Sequence, residues 1–234
     1  MKNFMFIWIP KNAGSSLVNL GFDSNEKSSL INRMHLIELE KDYPKLNLYS
    51  INNALTNSFH WYSGGVTFGH QDISLLVKNG YIDRDYYKNT FKFCIVRNPY
   101  DRMVSLWEYT HERQTSGDWE YRYHSYNFKD FCKWISQVDI KPVGLYNEAE
   151  YSLLNQQVCW IPDDIDYIVR YEKLKDGIDE VCNILEIKDF KLPWENKQAH
   201  IRDYKVYYDD KTIEIVSKLY KDDISRFNYK YEIL

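Results

Sequence analysis

Short apolar runs punctuate the chain at residues 4–9, 65–68, 91–96 and 167–169. Each has the length of a strand, and the first and third are apolar almost throughout, as expected of strands covered on both faces. The stretches between them repeat their apolar residues three and four apart, which predicts helices. Residues 99–113 put Met103, Leu106 and Trp107 on one stripe. Residues 128–137, 148–160, 172–185 and 209–221 read the same way, the last with Ile213, Val216, Leu219 and Tyr220 turned inward. Strands alternating with helices predict an α/β fold, a central parallel sheet flanked by helices. The stretch 47–63, rich in Asn and Ser, is hard to place. No repeat, low-complexity tract or hinge divides the chain, so residues 1–234 are expected to form one domain.

Local chemistry sharpens one boundary and locates an edge. Asn98 is a good N-cap and Pro99 suits a first helical position, so Ser105 falls on the second turn of the helix that follows. Ligands of parallel α/β sheets bind beyond the carboxyl ends of the strands. Lys11, His70 and Arg97 each lie just past a predicted strand and are expected to share that edge.

Two of these residues belong to segments with the composition of anion sites. Ile9-Pro10-Lys11-Asn12-Ala13-Gly14-Ser15-Ser16 feeds a small-residue loop into a helix start. Such a loop offers free backbone N–H groups, close approach at Gly14, the Ser15 and Ser16 hydroxyls and the charge of Lys11. It is not a Walker A loop, whose lysine stands at the far end. Val96-Arg97-Asn98-Pro99-Tyr100-Asp101-Arg102-Met103-Val104-Ser105 ends a strand on an arginine whose planar fork can hold a phosphate, with the Ser105 hydroxyl in reach of the same anion. Taken singly, the first segment can also be an ordinary strand-to-helix turn with an exposed lysine. Arg97 can also cap a helix or pair with Asp101, and Arg102 fits a helix-surface ion pair. Together the segments predict a ligand phosphorylated at two separate places.

Composition removes several alternatives. The 34 acidic and 30 basic residues, net charge -4, are mixed throughout, which argues against a broad nucleic-acid surface. No apolar run reaches the roughly 18 residues of a membrane span, and the first run is too short for a signal peptide, so a soluble, cytoplasmic protein is expected. Cys94, Cys132, Cys159 and Cys182 are widely spaced and read as buried thiols. No His, Asp or Glu spacing resembles a metal site. Asp163, Asp164 and Asp166 read as a solvated turn before a strand, and Glu172 as an anchor at a helix start.

The two segments resemble the 5′-phosphosulfate loop and the 3′-phosphate motif of the sulfotransferase family that uses 3′-phosphoadenosine 5′-phosphosulfate (PAPS). They are most similar to its carbohydrate branch, where P-K-[TS]-[AG]-[GS]-T-[ST] is paired with V-R-[DN]-P-x-x-R-x-x-S. The pair Gly69-His70, the stretch Val169-Arg170-Tyr171-Glu172-Lys173-Leu174 and the segment 192–208 extend the similarity along most of the chain. The resemblance implies a P-loop-like three-layer fold and sulfuryl transfer from PAPS to an acceptor hydroxyl on a carbohydrate, releasing 3′-phosphoadenosine 5′-phosphate (PAP), with no metal required. It implies that Lys11, Asn12, Ala13, Gly14, Ser15 and Ser16 hold the 5′-phosphosulfate and that Arg97 and Ser105 hold the 3′-phosphate. Asn12 and Ser15 stand where the family usually carries threonines. Lys197, His200 and Arg202 fall where related enzymes close a loop over the nucleotide, although the Arg-Lys-Gly signature of the cytosolic branch is missing and an exposed polar loop fits them as well.

Sulfuryl transfer calls for a positioned donor, charge stabilisation at the departing phosphate and a base for the acceptor hydroxyl. His70 leads the histidines for that base, and capping the next helix is its plain alternative. His60 and His111 remain alternatives, whereas His35 and His124 lack a comparable setting. The aromatic residues of 107–126 suit sugar rings, and they equally suit a satellite core. Two rival functions stay open: a P-loop-type nucleotide or small-molecule kinase, and a nucleotide- or glycan-binding module without turnover. The first would bind ATP with magnesium.

Overall fold

The computed structural model describes residues 4–14, 17, 58–61, 65–68, 70, 72–78, 82, 84–115, 127–143, 152–187 and 203–231. Strands β1 (Phe4–Ile7), β2 (Ser58–Trp61), β3 (Gly65–Phe68), β4 (Phe91–Val96) and β5 (Tyr167–Arg170) form one sheet in the order β2-β3-β1-β4-β5. Strands β3, β1, β4 and β5 run parallel, with Phe4 opposite Gly65 on one side and Phe91 on the other, and Phe93 opposite Tyr167. The edge strand β2 is antiparallel and pairs Phe59 with Thr67. It arises in the stretch that was hard to place, because four residues are too few to display a period.

Helices α1 (Ile73–Lys78), α2 (Arg84–Asn89), α3 (Pro99–Thr115), α4 (Phe128–Ile135), α5 (Leu174–Leu185), α6 (Asp210–Leu219) and α7 (Lys221–Phe227) surround the sheet. The α3 start matches the sequence expectation: Asn98 Oδ1 accepts from the Tyr100 amide at 3.1 Å. The expected helix over 148–160 is replaced, among the described residues, by two 3₁₀ turns at Ser152–Leu154 and Gln157–Trp160. A physical cause is visible at the second turn, where the Gln157 and Val158 amides donate to the Asp223 carboxylate, both at 2.8 Å, instead of to preceding carbonyls. The helix expected over 209–221 ends at Leu219, and α7 restarts after Tyr220.

Alternate strand residues pack on opposite layers, which is why the runs of β1 and β4 are apolar at every position but Lys92. Met5, Ile7, Cys94 and Val96 meet Ile73 and Leu76 of α1, Trp160 and Phe227. Phe4, Phe6, Phe93 and Ile95 meet Leu17 and the Ile178, Val181 and Leu185 stripe of α5. Each such burial contributes about 1.5–3 kcal/mol. A third cluster joins Met103 and Leu106 of α3 to Phe131 of α4 and Val216 of α6.

Cys94, Cys132 and Cys182 are buried thiols as expected, but Cys159 is exposed, because its tight 3₁₀ turn sends Gln157 and Trp160 inward and Cys159 out. At the amino end of the sheet, the exposed Asp164 and Asp166 carboxylates stand 3.7 and 3.4 Å from the ammonium of the buried Lys92. Among the described residues no helix is long and apolar enough to cross a membrane.

Candidate active site at the carboxyl edge

Three neighbouring parallel strands, β3, β1 and β4, deliver His70, the loop 8–14 and Arg97 to one edge. In the loop, Lys11 and Ala13 take left-handed backbone, with φ of 66° and 61°, and Asn12 between them does not. Alternating the hand of successive residues lets their N–H groups converge on an anion. A helical turn then opens, with the Leu17 amide donating to the Ala13 carbonyl at 3.1 Å. Gly14 is required here by space: a Cβ at this position would lie 1.7 Å from Nε1 of Trp8.

The Asn12 side chain points into the protein. Only 1% exposed, it donates from Nδ2 to the Ile95 carbonyl and to Gln157 Oε1, both at 2.7 Å. Its side chain therefore anchors the loop to β4, and any contact it makes with an anion comes from its backbone. The Lys11 ammonium lies 4.2 Å from the centre of the Tyr109 ring on α3.

Arg97 both pairs and bridges. Nε and Nη2 donate to the two Asp101 carboxylate oxygens at 2.7 and 2.9 Å, and Nη1 reaches the Lys11 carbonyl at 3.2 Å. Its guanidinium also stacks 4.3 Å from the Tyr171 ring centre. The Asp101 pairing foreseen as the plain alternative is thus present, and so is a direct tie to the loop. These bonds engage each guanidinium nitrogen once, so both terminal nitrogens keep a further N–H. Ser105 is half-buried on the second turn of α3, and its hydroxyl makes no hydrogen bond among the described residues.

Arg102 departs from the surface ion pair that its sequence position suggested. It is 1% exposed, and its guanidinium donates to the carbonyls of Pro10, Asn155 and Leu153 at 3.1, 3.0 and 3.0 Å. Helical phase explains this: Arg102 lies four residues after Asn98 on the inward face of α3, beneath the loop.

His70 closes the other side. It takes left-handed backbone, φ 54°, and its Nδ1 lies 3.1 Å from the Trp8 carbonyl. A carbonyl only accepts, so Nδ1 carries the proton and Nε2 of the neutral ring keeps its lone pair. Desolvation by the surrounding protein, with the nearby charges of Lys11 and Arg102, lowers its pKa from 6.5 to about 4, against the opposing pull of the Trp8 carbonyl. The residue as a whole is nevertheless exposed, and solvent there limits the shift. Either way the imidazole is neutral at pH 7. The next helix is capped by Asp72, whose carboxylate accepts from the Leu75 amide at 3.1 Å, so His70 is not its cap.

The sequence model of the sulfotransferase family matches residues 2–230. The chain belongs to that family. No curated protein matches it.

Sulfuryl transfer is the chemistry of this family, with a nucleotide donor and a hydroxyl acceptor. In this sulfotransferase the expected residues Lys11, Asn12, Ala13, Gly14, His70, Arg97 and Ser105 lie at or beside the carboxyl edge, whereas Ser15, Ser16, Lys197, His200 and Arg202 fall outside the described residues. So do His35, His124 and the aromatic residues of 116–126. Of the rest of the aromatic stretch, Trp107 packs on Phe128 and Tyr207, with the alternative base His111 stacked on it at 5.8 Å, whereas Tyr109 faces Lys11. His60 lies on the edge strand β2. Glu172 anchors as expected, accepting from the Asn98 amide at 2.7 Å and the Tyr229 hydroxyl at 3.1 Å.

Sequence reasoning missed Gln157 and Asp223, which are 0% exposed and lie behind the loop. Neither belongs to a local pattern that announces it. Trp8 was readable only as part of an apolar run, although a glycine six residues on, Gly14, marks where its ring lies.

Proposed function

We propose that this sulfotransferase moves a sulfuryl group from PAPS to a carbohydrate hydroxyl, with His70 as the general base. The observation that carries the reading is the 3.2 Å bond from Arg97 to the Lys11 carbonyl, which joins the two anion segments side by side, with His70 across the same loop. The residues present suit a nucleotide phosphorylated at both ends. Arg97 keeps N–H donors at its tip, the Ser105 hydroxyl makes no hydrogen bond among the described residues, and the loop backbone alternates in hand.

When bound, PAPS supplies an electrophilic sulfur and a phosphate leaving group. The loop N–H groups and Lys11 offset the charge that grows on the departing 5′-phosphate. Arg97 and Ser105 hold the 3′-phosphate and fix the nucleotide's register. His70 Nε2 takes the acceptor proton while Nδ1–H stays on the Trp8 carbonyl, which keeps the ring oriented. As the acceptor oxygen bonds to sulfur, the bond from sulfur to the 5′-phosphate oxygen breaks. Trp8 and Tyr109, both half-buried beside His70 and Lys11, offer aromatic faces of the kind that suit a sugar ring.

Thermal unfolding with PAP, with AMP and with ATP plus magnesium tests the donor. At a hundredfold excess over its dissociation constant a ligand stabilises the native state by about 2.7 kcal/mol, a rise of roughly 5–11 °C for a chain of this size. PAP should give the largest shift. Equal shifts for PAP and AMP would remove the 3′-phosphate site, and a preference for ATP with magnesium would favour a kinase.

A further inference from the structure

The two anion segments are about 85 residues apart in sequence, and a third element sets the distance between them in space. Gln157 lies in the 3₁₀ turn after the Leu154 region and belongs to neither segment. Its Oε1 accepts from Asn12 Nδ2 at 2.7 Å and from the Arg97 amide at 2.8 Å. Its Nε2 donates to the Arg97 carbonyl at 2.9 Å and to Asp223 Oδ2 at 3.2 Å. One buried amide therefore grips the first segment at Asn12 and both backbone groups of Arg97 in the second.

The orientation of that amide is forced. A carboxylate at neutral pH only accepts, so the Asp223 side must receive Nε2–H, and Oε1 must turn toward the donors of Asn12 and Arg97. Asp223 is itself fixed by the Gln157 and Val158 backbone amides, and its other neighbour is the Arg102 guanidinium, which ties the loop at Pro10. All the partners of Gln157 are backbone groups or buried side chains, so the amide has little freedom to follow a loop that shifts.

We infer that Gln157, braced by Asp223, is the positioning residue that fixes the separation of the two phosphate-binding segments, so that preference for a nucleotide phosphorylated at both ends depends on it. The inference rests on the PAPS reading above. A ligand with one phosphate uses one segment and tolerates a change in spacing, whereas a ligand with two gains its second contact only when the spacing is right. Removing the spacer should therefore weaken PAP binding more than AMP binding.

Calorimetric titration of PAP and AMP into wild type and Gln157→Met decides it. The wild type is measured first: if it does not prefer PAP, the donor reading fails and the inference goes with it. If it does, Gln157→Met should cut the ratio of the AMP to the PAP dissociation constant by about tenfold, the scale of one lost buried hydrogen bond. A ratio within about twofold of wild type, with both affinities falling together, would leave Gln157 a structural residue only and overturn the assignment. If Gln157→Met does not fold, Gln157→Asn keeps the amide but draws it back by one methylene, and the same drop in ratio is expected. Failure of both to fold would likewise reduce Gln157 to a structural role.

Discussion

Replacing Gly14 with alanine tests the tightest contact of the site. The added Cβ would stand 1.7 Å from Trp8 Nε1, 2.0 Å from Cδ1 and 2.5 Å from Cε2, whereas ordinary contact begins at 3.4 Å. The indole, or the loop that faces it, must therefore retreat by about 1.7 Å to reach ordinary contact. Forcing one carbon into such a place costs about 1–3 kcal/mol, or roughly 2–12 °C in Tm for a chain of this size. The effect on turnover should be larger. The Trp8 ring centre is 4.8 Å from the His70 ring, and the Trp8 carbonyl holds Nδ1, so a movement of this size carries His70, the proposed base, with it. Misplacement by about 1 Å can cost 10²-fold in rate, so Gly14→Ala should lose about a hundredfold in kcat while staying folded. The assay is sulfuryl transfer from labelled PAPS to a panel of glycans, run beside thermal unfolding. Adding Trp8→Leu to Gly14→Ala should restore the lost stability without restoring turnover, because the clash goes but the wall beside His70 goes too. Wild-type Tm and kcat in Gly14→Ala, or strictly additive stability effects in the pair, would refute the steric reading.

The remaining predictions concern His70 and Arg102. Because desolvation, Lys11 and Arg102 depress the His70 pKa, the imidazole stays neutral below 6.5, and with His70 as the proposed base kcat/KM for the donor should fall only on an acid limb between about 4 and 6.5. A bound anionic donor favours the imidazolium, so the corresponding limb in kcat should lie at higher pH. His70→Ala should lower the rate and abolish both limbs, and limbs that persist in that variant would dismiss His70 as the base. Arg102→Met strips the carbonyls of Pro10, Leu153 and Asn155 of their donor and leaves the buried Asp223 carboxylate without its guanidinium neighbour. We expect a loss of at least about 3 kcal/mol, read as a Tm lower by about 6 °C or more, with little recovery in Arg102→Lys because one ammonium cannot span three carbonyls. A Tm within about a degree of wild type would show that the buried tie contributes little.

Much of the frame was readable from sequence because it rests on local patterns. Strands β1 and β4 are buried on both faces and so appear as apolar runs interrupted only by Lys92, and the Asn98-Pro99 pair marks the start of α3. Placing Lys11, His70 and Arg97 on one edge required only the rule that parallel strands open their sites at their carboxyl ends. What escaped was decided by partners far away in sequence. Nothing near Gln157 signals that its amide will meet Asn12, and the break of helix over 148–160 follows from an Asp223 carboxylate that lies beyond any local window. Arg102 shows a related failure: its neighbours fit a helix-surface ion pair, and only the packing of α3 under the loop makes it a buried tie instead.

The bonds that hold the loop also fix when it can be completed. Asn12 meets Gln157 across 145 positions, Pro10 meets Arg102 across 92, and Gln157 meets Asp223 across a further 66. Contacts this distant in sequence carry the full entropy of closing their loops and form late, after hairpins and helices have settled. Residues 10–14 leave the ribosome about 210 positions ahead of Asp223 on α7, which braces them through Gln157. A chain stalled short of Asp223 can pair β1 with β3 and β4 and still lack an ordered anion site. With the loop as the proposed donor site, donor affinity reports that folding has reached α7, and chains folded short of it present the strands without the chemistry.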